Sequence, residues 1–287
     1  MTRWEAPGKL NLCLLISPPR ADGYHPLQSL VQTIEWCDHL DFEEVEERDD
    51  VIVIEHPDID PEDNLVSRAL RHVRSVKDFP KQRVVVDKVL PTGAGVGGGS
   101  SNAAATLMAA AGIAGLGRAD VAPLAVTLGA DVPLFLTGGT LHMGGIGEVI
   151  APQQPLTGVA FAVAVPEFRL DTREVYREWD RLEGPQGETL PEGALPPALR
   201  DGMPIRNDLT PAAMSVEPQL AEFMAELRSR WGQPVLLTGS GSGCFGMFPG
   251  LDEAVDAAGA VSDLCRVSVG VEPRPRGVAE VFVDQGR

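Results

Sequence analysis

Residues 90–112, "LPTGAGVGGGSSNAAATLMAAAG", place a dense set of glycines directly before a run of alanines. Gly93, Gly95 and Gly98 have the GxGxxG spacing of dinucleotide-binding loops. The phosphate-binding pattern GxxxxGK[ST] is also nearly matched, but Gly99 stands where that pattern has its lysine. Glycine allows backbone amides to approach a phosphate closely, and a helix that follows the loop presents its positive end. The segment therefore indicates phosphate binding, with a cation supplied from elsewhere in the chain.

Three interpretations of this loop compete. A dinucleotide-binding loop directly follows a strand and has an acidic residue about 20 residues later, but here "KVLPT" intervenes and the nearest acidic residue, Asp120, lies in loop-like sequence. A lysine-containing phosphate loop lacks its lysine, although backbone amides can bind phosphate without it. Glycines that only ease packing would not account for the cap-type residues Ser100, Ser101 and Asn102 at the predicted helix start. We favour a phosphate-binding loop that opens onto a helix.

The segments around the loop predict a mixed α/β arrangement for the first half of the chain. "KLNLCLLIS", which begins at Lys9, favours a strand, and a second extended region ends near residues 41–45. The β-branched runs "DDVIVIEH" and "QRVVVDKVLP" predict two more strands, with a helix over "EDNLVSRALRHVRSV" between them. After the loop, residues 100–116 predict an alanine-rich helix. The segment that follows begins as a helix and ends in short strands near residue 150.

The connector "APQQPLTG", residues 151–158, marks the predicted boundary between two domains, 1–152 and 153–287. Beyond it, the sequence predicts a strand over "VAFAVAVP", a helix over 172–182 and an exposed, partly mobile loop over 183–204. A helix around "VEPQLAEFMAELRSRW", a strand "PVLLTG", a second glycine turn "SGSGCFGMF", another helix and a closing strand "VAEVFVD" follow. The pattern predicts an α+β fold for this half.

Composition narrows the class of partner. The chain has 287 residues, 44% hydrophobic content and a formal net charge of -17, which argues against a nucleic acid or an anionic membrane as partner. Its apolar runs are too short for a secretory signal or a membrane-spanning helix, so we expect a cytoplasmic protein. Its four cysteines are widely spaced, which predicts free thiols in a reducing compartment and no zinc site.

Three blocks of the sequence resemble motifs of the GHMP kinases, the superfamily of galactokinase, homoserine kinase, mevalonate kinase and phosphomevalonate kinase. They are "APGKLNL", "PTGAGVGGGSSNAAA" and "LLTGSGSGCFGMF", in the order that the superfamily has them and across about the whole chain. The resemblance implies an α+β fold of two domains, an N-terminal domain like ribosomal protein S5 and a ferredoxin-like C-terminal domain. It also implies ATP and Mg²⁺ as cofactors and a site in the cleft between the domains.

Further blocks, "RADGYHPLQSLVQTIEWCDHLDF", "GADVPLFLTGGT" and "RNDL", are similar to one branch of the superfamily. This branch phosphorylates the 2-hydroxyl of a cytidine-diphosphate-linked methylerythritol in the non-mevalonate isoprenoid pathway, and the resemblance implies that small molecule as the substrate. A kinase for homoserine or mevalonate, the decarboxylase of diphosphomevalonate and a silent GHMP-like sensor are the alternatives. The sequence leaves the oligomeric state, monomer or homodimer, open.

Two charged residues are the candidates for catalysis. Asp131, in the tight segment "GADVP", is either a general base or an ordinary helix cap. Lys9, beside Pro7 and Gly8, is either a solvated lysine or the cation that the loop lacks. The resemblance implies that Asp131 accepts the hydroxyl proton and that Lys9 keeps this carboxylate ionised and orients the hydroxyl.

The remaining candidate residues follow from the same resemblance. Tyr24 would stack on cytosine and His25 would bind the edge of the base, with Tyr176 as a second aromatic. Asn11 would contact the substrate hydroxyls or the catalytic aspartate, and Thr172 is a further substrate contact. Ser100 and Ser101 are candidate Mg²⁺ ligands, although no carboxylate is marked as one. The predicted ATP-binding residues are Pro91, Thr92, Gly93, Ala94, Gly95, Val96, Gly97, Gly98, Gly99, Ser100 and Ser101.

The second glycine turn, "TGSGSGC", predicts another nest of backbone amides near the transferred phosphate or the substrate diphosphate. The superfamily often has a threonine before the cysteine of this motif. This chain has Gly243 there, so a side-chain role at that position is not expected.

Overall fold

The computed structural model describes residues 1–57 and 59–281, and within them the strands form one sheet of seven and one of four. The strands are β1 (Thr2–Ile16), β2 (Leu27–Glu44), β3 (Val51–Ile54), β4 (Gln82–Asp87), β5 (Thr140–Gly144), β6 (Val149–Pro152), β7 (Ala160–Val165), β8 (Leu236–Leu237), β9 (Cys244–Phe248), β10 (Val267–Val271) and β11 (Ala279–Val281). The helices are α1 (Leu65–Val76), α2 (Gly98–Ala114), α3 (Arg118–Leu128), α4 (Val132–Thr137), α5 (Thr172–Arg181), α6 (Thr210–Val216), α7 (Gln219–Trp231) and α8 (Leu251–Gly259). The predicted mixture of helices and strands is confirmed.

Strand β1 is the centre of the first sheet, whose order is β11-β1-β2-β4-β3 with β5 and β6 paired along β2. It starts at Thr2, seven residues before the predicted start at Lys9, because β2 on one side and β11 on the other pair with its first residues. Its register against β2 shifts between Pro7 and Gly8 and again between Asn11 and Cys13. Such shifts bend a strand and redirect its side chains, and they are frequent beside active sites.

The apolar side chains of β1 enter more than one core. Ala6 packs in a core with α1, α2 and α4, whereas Leu10 and Leu12 pack with residues of the second sheet. Leu14 and Ile16 join a third cluster that includes residues of α5, α6 and α7. A strand that is buried on both faces tends to be apolar throughout, and residues 10–16 of β1 are apolar except at Asn11.

Helix α2 packs on β1 and begins earlier than predicted. Its N-cap is Gly97, in the left-handed conformation with φ 76°, and the helix runs from Gly98. Ser100, Ser101 and Asn102 therefore lie inside the helix, and the prediction that they cap it is wrong. The reason is steric: a Cβ on Gly97 would lie 2.7 Å from Phe135 Cζ, so glycine is needed where the loop turns into the helix.

The second sheet has the order β10-β7-β9-β8. The predicted loop over 183–204 is irregular, but Leu195 and Leu199 are buried in the core below this sheet, so the prediction of an exposed loop is wrong at those two residues. β9 and β10 were not predicted. The division into domains 1–152 and 153–287 stays a prediction, and β11 pairs with β1 of the first sheet. The end of the predicted closing strand, beyond residue 281, lies outside the described residues.

The four cysteines are free thiols, as predicted: Cys13 and Cys244 are buried, and Cys37 and Cys265 are half-buried. In the ranges that the structure describes, the helices are too short or too polar to span a bilayer. Cytoplasmic location stays a prediction.

A buried arginine fastens the segment before β11 to the first sheet. Arg274 Nη2 donates to Glu5 Oε2 at 2.6 Å and Nη1 donates to Glu35 Oε2 at 2.6 Å. Its backbone N–H also donates to the Thr33 carbonyl at 2.7 Å. The guanidinium is almost fully buried, whereas both carboxylates retain some exposure. Because Glu5 lies on β1 and Glu35 on β2, Arg274 joins both strands to the segment before β11.

We expect Arg274→Ala to lower the free energy of unfolding by about 2 kcal/mol, because it leaves two partly buried carboxylates without their shared partner. Denaturant titration checks this value. The matched control is Arg276→Ala: Arg276 is 3.5 Å from the same Glu5 but is exposed, so its loss should change stability little. Equal effects of the two substitutions would contradict the role of burial.

Candidate active site

The two glycine-rich turns of the sequence lie against each other. Gly243 N donates to the Ala94 carbonyl at 3.2 Å, and Thr238 Oγ1 donates to the Gly95 carbonyl at 3.3 Å. These bonds join the first turn, which precedes α2, to the second turn, which lies between β8 and β9. Two segments that are about 140 residues apart in the sequence therefore form one surface of backbone amides.

Close approach explains the glycines at this junction. Gly95 has φ +72°, and a Cβ there would lie 2.1 Å from the Thr238 carbonyl oxygen. A Cβ on Gly243 would lie 2.5 Å from the Ala94 carbonyl oxygen. Real Cβ atoms do not approach backbone that closely, so a threonine at position 243 would require the two turns to separate.

Two cavities flank the first turn. The smaller, about 360 Å³, is lined by residues 91–100, by Lys88 and by apolar residues that include Ile54 and Leu65. The larger, about 700 Å³, lies on the other side of the same turn. Its lining brings together the predicted substrate-side residues, and it shares three residues with the smaller cavity. The predicted residues that line the larger cavity are Lys9, Asn11, Tyr24, His25, Asp131, Thr172 and Tyr176, and the shared ones are Gly95, Gly97 and Ser100.

Lys9 is buried where β1 passes between the two turns. Its ammonium Nζ donates to Asn11 Oδ1 at 2.5 Å and is 3.7 Å from Asp131 Oδ2. Gly97 and Gly239 flank it so closely that a Cβ on either would be within 3.3 Å of the lysine side chain. Burial lowers the pKa of Lys9, and the neighbouring Asp131 carboxylate acts in the opposite direction.

Asp131 immediately precedes α4, where Pro133 occupies the first turn. Its side chain makes no capping hydrogen bond, and about a third of it is exposed. The carboxylate instead lines the larger cavity opposite Lys9. The geometry thus favours an ion pair in the cavity over the helix-cap interpretation.

The lining of the smaller cavity includes a cation, Lys88, that the sequence analysis did not single out. Lys88 Nζ donates to Asp38 Oδ2 at 2.5 Å and to the Leu90 carbonyl at 2.9 Å. Asp38 Oδ1 also accepts from the backbone amides of Val89 and Leu90, both at 2.7 Å. This buried pair fixes the entry to the glycine turn. Lys88 lies two residues before the "LPTGAG" segment, and this position was the only signal for it in the sequence.

Ser100 lines both cavities, whereas Ser101 is fully buried and lines neither. The Oγ of Ser101 and the Oδ1 of Asn102 have no hydrogen-bond partner. Buried polar atoms normally have a partner. Asn102 lines the smaller cavity, so a group bound there could complete its hydrogen bonding, whereas Ser101 is enclosed.

His25, rather than Tyr24, is the ring that lies against Tyr176. The two ring centroids are 5.4 Å apart, and His25 also contacts Trp179 edge-on at 5.3 Å. The His25 nitrogens face the Ser17 carbonyl at 3.1 Å and Asp180 Oδ2 at 3.4 Å. Burial, and next the Asp131 charge, raise the pKa of Tyr176 to about 12. Tyr24 is 60% exposed at the mouth of the cavity.

Helix α5 contributes further residues that the sequence analysis missed. Arg173, Arg177 and Asp180 line the larger cavity together with the predicted Thr172 and Tyr176. Thr172 Oγ1 lies 2.8 Å from Ser240 Oγ of the second glycine turn. The helical spacing in "TREVYREWD" was the available signal, since residues four apart lie on the same face.

Comparison with known proteins agrees with this geometry. The family described as "GHMP kinases N terminal domain" matches residues 64–139. A relative from Cupriavidus taiwanensis, "4-diphosphocytidyl-2-C-methyl-D-erythritol kinase", is 38% identical over 251 residues, 85% of this chain and 83% of the relative. The chain belongs to the 4-diphosphocytidyl-2-C-methyl-D-erythritol kinase family. As a member of this family the chain is a kinase that uses ATP.

Solved structures separate the family from the wider fold. A crystal structure of 4-(cytidine 5'-diphospho)-2C-methyl-D-erythritol kinase is 35% identical, with a TM-score of 0.79 over 95% of this chain and 100% of that chain. A homoserine kinase from Cytophaga hutchinsonii has a TM-score of 0.69 over 98% and 97%, but only 14% identity, so it shares the fold alone. The predicted GHMP kinase fold and the predicted branch of the superfamily are confirmed.

The contact between the glycine turns is open to a direct test. Gly95→Ala would place a Cβ against the Thr238 carbonyl oxygen in a backbone conformation that alanine disfavours, so we expect ATP affinity to fall at least about tenfold and stability to decrease. Isothermal titration and thermal melting measure both. The control is Gly112→Ala in α2, where a Cβ meets nothing within 4 Å and helix propensity rises. Unchanged ATP affinity in Gly95→Ala would contradict the proposed packing.

Proposed function

We propose that this chain transfers the γ-phosphoryl group of ATP to the 2-hydroxyl of 4-diphosphocytidyl-2-C-methyl-D-erythritol in the non-mevalonate isoprenoid pathway. The supporting observation is the larger cavity, whose lining brings the Lys9–Asp131 pair and the glycine turn together with the rings of His25 and Tyr176. The charged pair suits a reacting hydroxyl next to a phosphate, and the rings suit a pyrimidine base. We infer a cytoplasmic enzyme.

The nucleotide would occupy the smaller cavity, with its base among apolar residues such as Ile54 and Leu65 and its phosphates along residues 91–100. The backbone amides of this turn and the N-terminus of α2 attract phosphate oxygens. Lys88 is already paired with Asp38, so it orders the turn rather than neutralising the nucleotide fully. The γ-phosphate would then lie where the two cavities meet.

Mg²⁺ fits this site as a cation carried mainly by the nucleotide. The described residues contain no group of three or more His, Cys, Asp or Glu side chains that could hold a metal by themselves. Mg²⁺ commonly keeps several waters and binds substrate phosphates with few protein ligands. Ser100, which lines both cavities, is the hydroxyl that would hold it, whereas the enclosed Ser101 reaches neither cavity. When bound, the metal ion would neutralise charge on the phosphates.

In the reaction, the 2-hydroxyl oxygen attacks the γ-phosphorus, the bond to the ADP oxygen breaks, and the hydroxyl proton passes to Asp131. Asp131 suits this role because its carboxylate faces the cavity and is not used for capping. Lys9 balances the charge of that carboxylate from 3.7 Å and contacts the region where the transferred group passes. Lys9 lies on β1 and Asp131 immediately precedes α4, and both of these elements pack against α2.

The cytidine diphosphate group would extend along α5. The rings of His25 and Tyr176 would lie against the cytosine, and Tyr24 would close over the exposed face of the base. Arg173 and Arg177, on the same cavity wall, provide positive charge for the diphosphate in a protein whose net charge is strongly negative. Thr172 lies between this region and the second glycine turn.

Asp131→Asn tests the general base. We expect kcat to fall about a thousandfold, since the amide cannot accept the proton, while ATP binding is largely retained. A coupled assay of ADP release with the cytidyl substrate measures the first, and calorimetry measures the second. The control is Asp120→Asn. Asp120 accepts a hydrogen bond from Gly117 N at the start of α3 and lines neither cavity, so its substitution should leave kcat nearly unchanged. ATP binding without turnover of any substrate by the unaltered protein would instead indicate a silent sensor.

Tyr24→Ala tests recognition of the base. Loss of the ring should raise the KM for the cytidyl substrate about tenfold and leave the KM for ATP nearly unchanged, because Tyr24 lines only the larger cavity. Steady-state kinetics with each substrate varied in turn measures both values. Tyr24→Phe keeps the ring and should behave like the unaltered protein. An equal rise in both KM values would argue against stacking on the cytosine.

A further inference from the structure

The Lys9 ammonium is held by a side-chain amide that is itself part of a chain of hydrogen bonds. Asn11 Oδ1 accepts from Lys9 Nζ, and Asn11 Nδ2 donates to Ser29 Oγ at 2.9 Å. Ser29 Oγ in turn donates to the Cys13 carbonyl at 2.5 Å. Ser29 is fully buried and Asn11 nearly so, so water does not compete for these bonds.

Only one orientation of the Asn11 amide satisfies this chain. A hydroxyl has a single proton, and Ser29 uses it on the Cys13 carbonyl, so Ser29 Oγ can only accept from Asn11. If the amide were turned over, its NH₂ group would face the Lys9 ammonium and its oxygen would face Ser29 Oγ. The first contact would then join two donors, and the second would join two acceptors. Ser29 therefore determines that the amide oxygen points to Lys9.

The shift in register between β1 and β2 makes this arrangement. It lies between Asn11 and Cys13, and these are the two residues that Ser29 Oγ joins. Past the shift, Ser29 is paired with Leu14 rather than with Cys13. The irregularity in the strand thus places one hydroxyl of β2 within reach of both a side chain and a carbonyl of β1.

We infer that Ser29 is a positioning residue for phosphoryl transfer, which acts through the Asn11 amide to hold the Lys9 ammonium beside Asp131. The inference rests on the proposed roles of Lys9 and Asp131 in the reaction. It assigns a function to a residue of β2 that does not line either cavity.

The charged form of Lys9 depends on few neighbours. Asp131 from the start of α4 is the charged group that pairs with it. The other titratable or charged residues that line the same cavity are Tyr24, His25, Arg173, Tyr176, Arg177 and Asp180. The flanking residues of the two glycine turns are uncharged, as are the described partners of Lys9 in β1 and β2. Burial already lowers the pKa of Lys9, so loss of an oriented amide oxygen would lower it further.

Ser29→Ala is the test, with Ser29→Thr as the conservative control that keeps the hydroxyl. We expect Ser29→Ala to lower kcat about tenfold, to leave the KM for ATP unchanged, and to move the alkaline fall of kcat about one pH unit lower, because Lys9 then loses its proton at lower pH. Ser29→Thr, which keeps the hydroxyl, should leave kcat and its alkaline fall as they are in the unaltered protein. In an Asn11→Ala background, Ser29→Ala should have no further effect, since the amide through which it acts is absent.

A second measurement does not depend on turnover. The chain has four lysines, Lys9, Lys77, Lys81 and Lys88, so labelling of the lysine ε-carbons gives four NMR signals, and Lys9→Met identifies that of Lys9. Its titration should move to lower pH in Ser29→Ala and not in Ser29→Thr. Thermal melting shows whether each variant is folded.

The outcomes separate this inference from the proposed function. An unchanged Lys9 titration and alkaline limb in a folded Ser29→Ala variant would overturn the inference, as would the same tenfold loss in the Asn11→Ala background. If instead Lys9→Met kept full activity, the proposed role of Lys9 would fail, whatever Ser29 does to its titration.

Discussion

The burial of one lysine ammonium between two glycine-rich turns is the constraint on which the site depends. A buried cation is costly unless an anion and hydrogen-bond acceptors surround it, and Lys9 has Asp131 and the Asn11 amide in those positions. Space for the lysine exists because Gly97 and Gly239 have no side chains. The turns, the strand and the start of α4 must therefore fold together, since the lysine is stable only when all are in place.

The distribution of charge around the site is set by the same cost of burying cations. The protein is strongly acidic, yet its site attracts phosphate, and backbone amides at a helix start supply positive potential without adding side chains. Two of the four lysines, Lys9 and Lys88, are buried, and each has a carboxylate as a fixed partner. Each of these ion pairs stabilises the local fold as well as placing a positive charge near the site. The other positive charges that line the larger cavity are Arg173 and Arg177 of α5.

The sequence predicted the motifs of the site well and their geometry poorly. Lys9 and Asp131 could be proposed because each lies in a short, recognisable block. The pairing of Lys88 with Asp38 could not, because it joins residues 50 apart through the pairing of β2 with β4. Ser29 is a similar case, since its contacts depend on a shift in strand register, which no local pattern reports. The early start of α2 was missed because a long-range contact, and not capping propensity, decides it.

Helix α5 has a property that loops around a substrate lack. Thr172 touches the second glycine turn, and Asp180, eight residues later, faces His25. At 1.5 Å per residue the helix holds these two points about 12 Å apart. A helix does not stretch or shorten appreciably. In the binding mode proposed above, the backbone of α5 would therefore set the distance from the reacting hydroxyl to the base, and a shorter linkage between base and sugar alcohol would not reach both ends at once.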